Sequence, residues 1–146
     1  MVLRLVWQGR GLALLLGDAE QRALAGVLLS GADLASEVLV WPHHGSRSSL
    51  KPGLYDRVGA AWAVAACGPD NRFGFPHPEV VQACEGAGSP VLITAACGAV
   101  RFRWDGDGPV RVRCARHGSA GAPDALCPAR LSCMPPLEQH NPRSGQ

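Results

Sequence analysis

The chain has no apolar run approaching the ~20 residues that a membrane-crossing helix needs. Its apolar opening is interrupted by Arg4 and Arg10, which does not fit a signal-peptide layout, so the chain itself is expected to be soluble. Lysine is almost missing: one Lys and thirteen Arg stand against twelve acids, and a formal net charge of +2 gives no strong basic field. A polyanion would therefore have to be met by local patches, not by net charge. There is no internal repeat, which excludes a solenoid or propeller. No Cys-x-x-Cys pair occurs among the six cysteines. Cys67, Cys84 and Cys97 lie in or beside apolar segments and read as small core residues. Further on stand Cys114, His117, Cys127, Cys133 and His140; only the first pair has a spacing that suits zinc, and the later gaps fit a structural site poorly.

What is present is a series of short apolar segments. Strands are expected near Val2 to Trp7, Leu12 to Leu16, Glu37 to Trp41, Ala61 to Ala66, Val91 to Thr94, Ala99 to Trp104 and Val110 to Val112. Helices are expected between them, over about Ala19 to Leu29, Gly53 to Val58, and from Pro78 to Gly86 or Gly88. This alternation predicts an α/β layered fold, with opening and closing hairpins that add antiparallel edges to a mixed sheet. Periodicity ends near Val112. From Ala115 onward Ala, Gly, Pro and Ser dominate, so residues 1–114 read as the folded domain and 115–146 as an unstructured tail.

Two of the apolar runs end on chemistry. Leu14-Leu15-Leu16-Gly17-Asp18 closes on a carboxylate, and Val38-Leu39-Val40-Trp41-Pro42-His43-His44-Gly45-Ser46 closes on two imidazoles. An open sheet places its binding groups beyond the carboxyl ends of its strands, so Asp18, His43 and His44 are candidate metal ligands on one rim. Each has a plain structural alternative: Asp18-Ala19-Glu20-Gln21 fits a helix cap, and the histidines fit a turn that closes a strand. The loop Asn71 to His77 follows the strand Ala61 to Ala66 and so reaches the same rim, where Arg47, Lys51 and Arg72 add positive charge or simply surface. Ser46, Ser48 and Ser49 can offer hydroxyls to a phosphate or stabilise a turn. His77 can contact substrate, orient a ligand, or merely precede the helix at Pro78.

The closing hairpin alternates Val100, Phe102 and Trp104 with Arg101 and Arg103, and Val110 and Val112 with Arg111 and Arg113, around the turn Asp105 to Pro109. Its four guanidinium groups share one face, which suits a phosphate backbone read without base contacts, or a solvated face that guards a sheet edge.

Three blocks together carry a resemblance from Leu12 to about Trp104: Leu14-Leu15-Leu16-Gly17-Asp18, the run Val38 to Ser49, and Asn71-Arg72-Phe73-Gly74-Phe75-Pro76-His77-Pro78-Glu79-Val80. In order and spacing they resemble the metallo-β-lactamase-like C-terminal domain of the ComEC family of DNA-internalisation competence proteins. The resemblance implies part of an αββα sandwich and a two-metal hydrolase in which Asp18 bridges the ions and one of His43 and His44 ligates one of them. It implies zinc or manganese as the metal, and Ser46, Arg47, Ser48, Asn71, Arg72 and His77 as residues that touch substrate or support ligands. Where the family often has a histidine, this chain has Phe75. The family's His-x-His-x-Asp-His loop does not stand ahead of Asp18, so the chain resembles the second half of such a domain.

Several ligands per ion and an open position are needed for metal-assisted hydrolysis. The expectation is therefore weak or absent metal binding and an inactive fragment of a protein that would take part in DNA uptake and hydrolyse DNA phosphodiesters. The implied parents are anchored in the inner membrane, and the implied partners are DNA and a chain supplying the missing half. Self-association through an exposed sheet face is a third expectation. The alternatives are a non-catalytic module that binds nucleic acid or protein, and a decayed remnant.

Overall fold

The computed structural model describes residues 1–116 and the backbone of a strand at Gly118–Ala120. Of the tail expected over 115–146, everything beyond Arg116 except that strand lies outside the described residues, as do His117, Cys127, Cys133 and His140. The chain runs β1 (Leu3–Trp7), β2 (Arg10–Leu15), α1 (Gln21–Leu29), β3 (Val38–Val40), two single turns at Pro42–Gly45 and Arg47–Ser49, α2 (Leu54–Val58), β4 (Trp62–Ala65), α3 (Pro78–Gly86), β5 (Val91–Ile93), α4 (Thr94–Cys97), β6 (Val100–Arg103), β7 (Arg111–Cys114) and β8 (Gly118–Ala120).

Strands β1 to β5 form a mixed sheet in sequence order, with β1 antiparallel to β2 and the remaining pairs parallel. Strands β6, β7 and β8 form a second, antiparallel sheet. The mixed α/β fold expected from the alternating segments is thus present. The central strands have both faces covered, which is why they read as unbroken apolar runs. On one face Leu14, Leu16, Leu39, Ala63 and Ala65 pack with Leu24 of α1, Leu54 and Val58 of α2, and Val80 and Cys84 of α3. On the other, Ala13, Val38, Trp62, Val64 and Leu92 pack against Val110, Val112 and Cys114. Helix α1 joins the core through Leu24, Val27 and Leu28, the i, i+3, i+4 stripe of an amphipathic helix.

Three local expectations change. Asp18 does not cap α1: the N-cap position is Glu20, without a side-chain cap bond. Strand β5 stops at Ile93, where α4 begins, and the Thr94 hydroxyl meets the segment just past β4, accepting from Cys67 N at 2.9 Å and donating to Cys67 O at 2.8 Å. Cys114 is a buried residue of β7, and beyond it the chain adds β8, paired to β7, where no strand was expected.

The apolar exposure expected of a half-sandwich is concentrated in the first strand. The second sheet covers the middle of the first, while Val2, Leu3, Leu5, Val6 and Trp7 remain between 41% and 49% exposed. Strand β1 is an edge strand with a bulge between Leu5 and Val6. Between it and α1 lies an open groove of about 480 Å³, lined by Val2, Leu14, Val27 and Leu34 with the Arg4–Asp33 ion pair at its side.

Candidate functional site

The parallel strands β2, β3 and β4 bring their carboxyl ends to one rim, and main-chain hydrogen bonds join the loops that follow them. His43 N donates to Gly17 O at 2.8 Å, which ties the histidine turn to the Gly17-Asp18 turn. His77 N donates to Gly45 O at 2.9 Å, which ties the third block to the second. Three segments separated in sequence thus meet through the backbone, whatever their side chains.

The turn itself is unusual. His43 (φ 45°) and His44 (φ 56°) both take left-handed backbone, and Gly45 (φ 87°) follows them. Non-glycine residues seldom adopt this region, and two in succession store backbone strain of a kind that clusters at functional sites. Gly45 has no alternative: a Cβ there would stand 2.6 Å from Pro76 Cβ and 2.7 Å from Trp41 Cε3. The absence of a side chain lets the turn lie against the Trp41 ring and the Pro76 loop.

The two imidazoles have different surroundings. His43 is half-buried, with Nδ1 at 3.2 Å from Glu20 Oε1 and 3.4 Å from Ser48 Oγ. A proton on Nδ1 toward Glu20 leaves the lone pair on Nε2, the arrangement by which a carboxylate orients a histidine. His44 is exposed and stacks on Phe75 at 6.4 Å between ring centroids. Phe75 also meets His43 at 5.8 Å and His77 at 5.5 Å, so it is the apolar wedge around which all three imidazoles are arranged.

The other candidates divide into engaged and available groups. Asn71 is fully used within its loop, donating to Gly68 O and Phe75 O and accepting from Phe75 N. Ser46 accepts from Ser48 N, and Ser49 donates to Ser46 O, so these two hydroxyls stabilise the turn. Ser48 remains at the His43–Glu20 pair, with its hydroxyl 3.4 Å from Glu20 Oε1. Arg47 is paired with Glu79 at 3.0 Å. The Glu79 carboxyl is held below its usual range, first by its own backbone N–H and then by Arg47. Arg72 lies 4.8 Å over the Phe73 ring and has no carboxylate partner among the described residues, which leaves its charge available at the rim.

Among the described residues no three His, Cys, Asp or Glu side chains gather as a metal-holding group. Asp18, His43 and His44 therefore do not by themselves fit a resident zinc or manganese ion, which takes at least three protein donors in a catalytic site. Glu20 and Phe75 are the rim residues whose roles the sequence did not reveal. Glu20 was legible only as part of a helix-cap pattern, and Phe75 only as the place of a missing histidine.

The fold and rim define a mixed α/β layered protein with its polar groups at the ends of parallel strands. Known proteins narrow this. The chain is 35% identical over 104 residues to Competence protein ComA of Neisseria gonorrhoeae, an alignment covering 69% of this chain and 15% of that protein. It is 28% identical over 91 residues to ComE operon protein 3 of Bacillus subtilis strain 168, covering 62% of this chain and 12% of that protein. The resemblance to ComEC-family competence proteins read from the three blocks is thus supported by curated relatives. The chain spans only 12% to 15% of the length of these relatives. No family model matches the chain, nor does any solved structure.

Proposed function

We propose that the chain is part of a ComEC-like protein that takes part in DNA uptake, and that its rim is the substrate-facing edge of a metallo-β-lactamase-like domain that, when whole, hydrolyses DNA phosphodiesters with a divalent metal. The observation that carries this reading is the joining of the Gly17-Asp18, His43-His44 and His77 segments at one rim by two main-chain hydrogen bonds. The similarity to competence proteins over most of the chain supports it. Asp18 and His43, the latter oriented by Glu20, are the proposed metal ligands, with His44 as the alternative imidazole. Ser48, Arg72 and His77 face the substrate, and a free guanidinium at Arg72 suits a phosphate oxygen.

Because the donors are too few, the remaining ligands come from a His- and Asp-rich segment outside these residues, on the same longer protein or on a separate chain. No hydrolytic step is assigned to the chain alone. The same reading makes β1 the side on which the rest of such a domain, or a second copy of this chain, packs.

Calorimetry with zinc and with manganese tests this reading, using the chain, Asp18→Ala and the His43→Ala/His44→Ala double variant, with nuclease activity assayed on the same samples. The chain alone is expected to show neither tight binding nor cleavage. On addition of a polypeptide carrying the His- and Asp-rich segment, binding and cleavage should appear and be lost in both variants. Stoichiometric binding with DNA cleavage by the chain alone would overturn the claim of inactivity. Complementation that survives both variants would remove Asp18 and the histidines from the site.

A further inference from the structure

The outer face of the second sheet carries a second feature, remote in the chain from the rim motifs. In the β6–β7 ladder Arg101 stands directly opposite Arg113, and Arg103 directly opposite Arg111. All four are exposed, while Val100, Phe102, Val112 and Cys114 turn inward. Like charges directly opposite one another on a sheet repel and cost stability. The second rung is relieved by Asp105, which lies 2.7 Å from Arg103 Nε and 3.5 Å from Arg111 Nη1. The first rung has no such relief: among the described residues neither Arg101 nor Arg113 has an acidic partner.

Protection of a sheet edge does not account for the whole ladder. Strand β6 is an edge strand, where charge prevents mispairing. Strand β7 is paired to β6 and, from Val112 to Cys114, also to β8, so Arg113, opposite Ser119, stands where there is no edge to guard. A repulsive rung on a central strand calls for an anion.

We infer that this arginine ladder binds the phosphodiester backbone of a nucleic-acid strand, without reading its sequence. Successive rungs lie roughly 7 Å apart along the strands, twice the ~3.4 Å rise of a strand residue. Neighbouring phosphates of one strand are linked through six backbone bonds and stand at a comparable separation, so the two rungs meet neighbouring phosphates. Guanidinium groups engage phosphate oxygens through two parallel N–H donors, a geometry that lysine does not offer. An acidic peptide fits less well. Every apolar side chain of the two strands points inward, so the face lacks the buried aromatic or aliphatic anchor that gives protein interfaces most of their affinity. Contacts to phosphate need no such anchor. The site is independent of metal and of the rim, so its failure leaves the proposed function standing and the reverse also holds.

Fluorescence anisotropy tests it in the presence of EDTA, with labelled DNA of about 20 nucleotides, single-stranded and duplex, titrated across a salt series. The chain is compared with Arg101→Glu/Arg113→Glu, Arg101→Gln/Arg113→Gln, Arg101→Lys/Arg113→Lys and, as a control on an exposed arginine of α1, Arg22→Gln. Binding by the unaltered chain should weaken linearly in log salt. The Glu pair should lose affinity about tenfold or more, and the Gln pair should reduce the duplex salt slope by about two contacts' worth. The Lys pair should retain the salt slope at lower affinity, and Arg22→Gln should bind like the parent. Circular dichroism confirms that the variants are folded; if the Glu pair is not, the Gln pair decides. Affinity and slope unchanged in the Gln pair, no binding by the parent at low salt, or stronger binding to polyaspartate than to DNA would each overturn the inference.

Discussion

Gly45 is the residue on which the site's geometry turns. It follows two histidines in left-handed backbone and has Trp41 on one side and Pro76 on the other. Gly45→Ala combines an unfavourable φ with two contacts inside van der Waals distance and is expected to lower stability by about 2–3 kcal/mol. His44→Gly, by contrast, removes strain and is expected to raise stability by up to about 1 kcal/mol, even though it deletes a candidate ligand. Chemical denaturation of both variants measures the difference. A loss of stability in His44→Gly would show that the His44 stack on Phe75 outweighs the strain it sits on. The candidates Asp18, His43 and His44 were legible because apolar runs ending in polar residues are a local pattern. Glu20 was not, because its contact with His43 closes a gap of more than twenty residues that no local period marks.

At the scale of elements, α3 shows how a helix protects reactive chemistry. Its buried face places Val80 and Cys84 in the core, and burial raises the Cys84 thiol to about 11. A thiol whose value is raised in the folded state lends stability that is complete below its ordinary value and is lost as pH rises through about 11. Alkylation near pH 8 followed by peptide mapping should modify half-buried Cys67 slowly and leave Cys84 unmodified until denaturant is added. Labelling of Cys84 in the native protein as fast as Cys67 would mean that α3 opens locally. Elements such as this were the legible part of the fold, since Pro78 at the start and an apolar face at helical spacing are properties of the segment alone. Strand β8 and the end of β5 were not legible. The first depends on pairing with β7, and the second coincides with the Thr94 hydroxyl reaching across to Cys67, just past β4.

At the scale of the molecule, the two sheets and the helices bury the middle of the structure well and its first strand poorly. The sequence showed the apolar residues of β1 but not their exposure, because exposure depends on where the second sheet ends. With Val2, Leu3, Leu5, Val6 and Trp7 all close to half exposed and the outer edge of β1 unpaired among the described residues, both faces and the edge of one strand are open to a partner. Contact between two copies through β1 would tie folding to mass action. The melting temperature should rise with protein concentration in the parent and become independent of it in Leu5→Lys, measured by calorimetry over a wide dilution range with sedimentation at each end. A concentration-independent transition in the parent would assign β1 to a different occupant. With a second copy on β1, the strand that opens the chain makes thermal stability a property of its surroundings: a melting temperature then has meaning only when stated with the concentration at which it was measured.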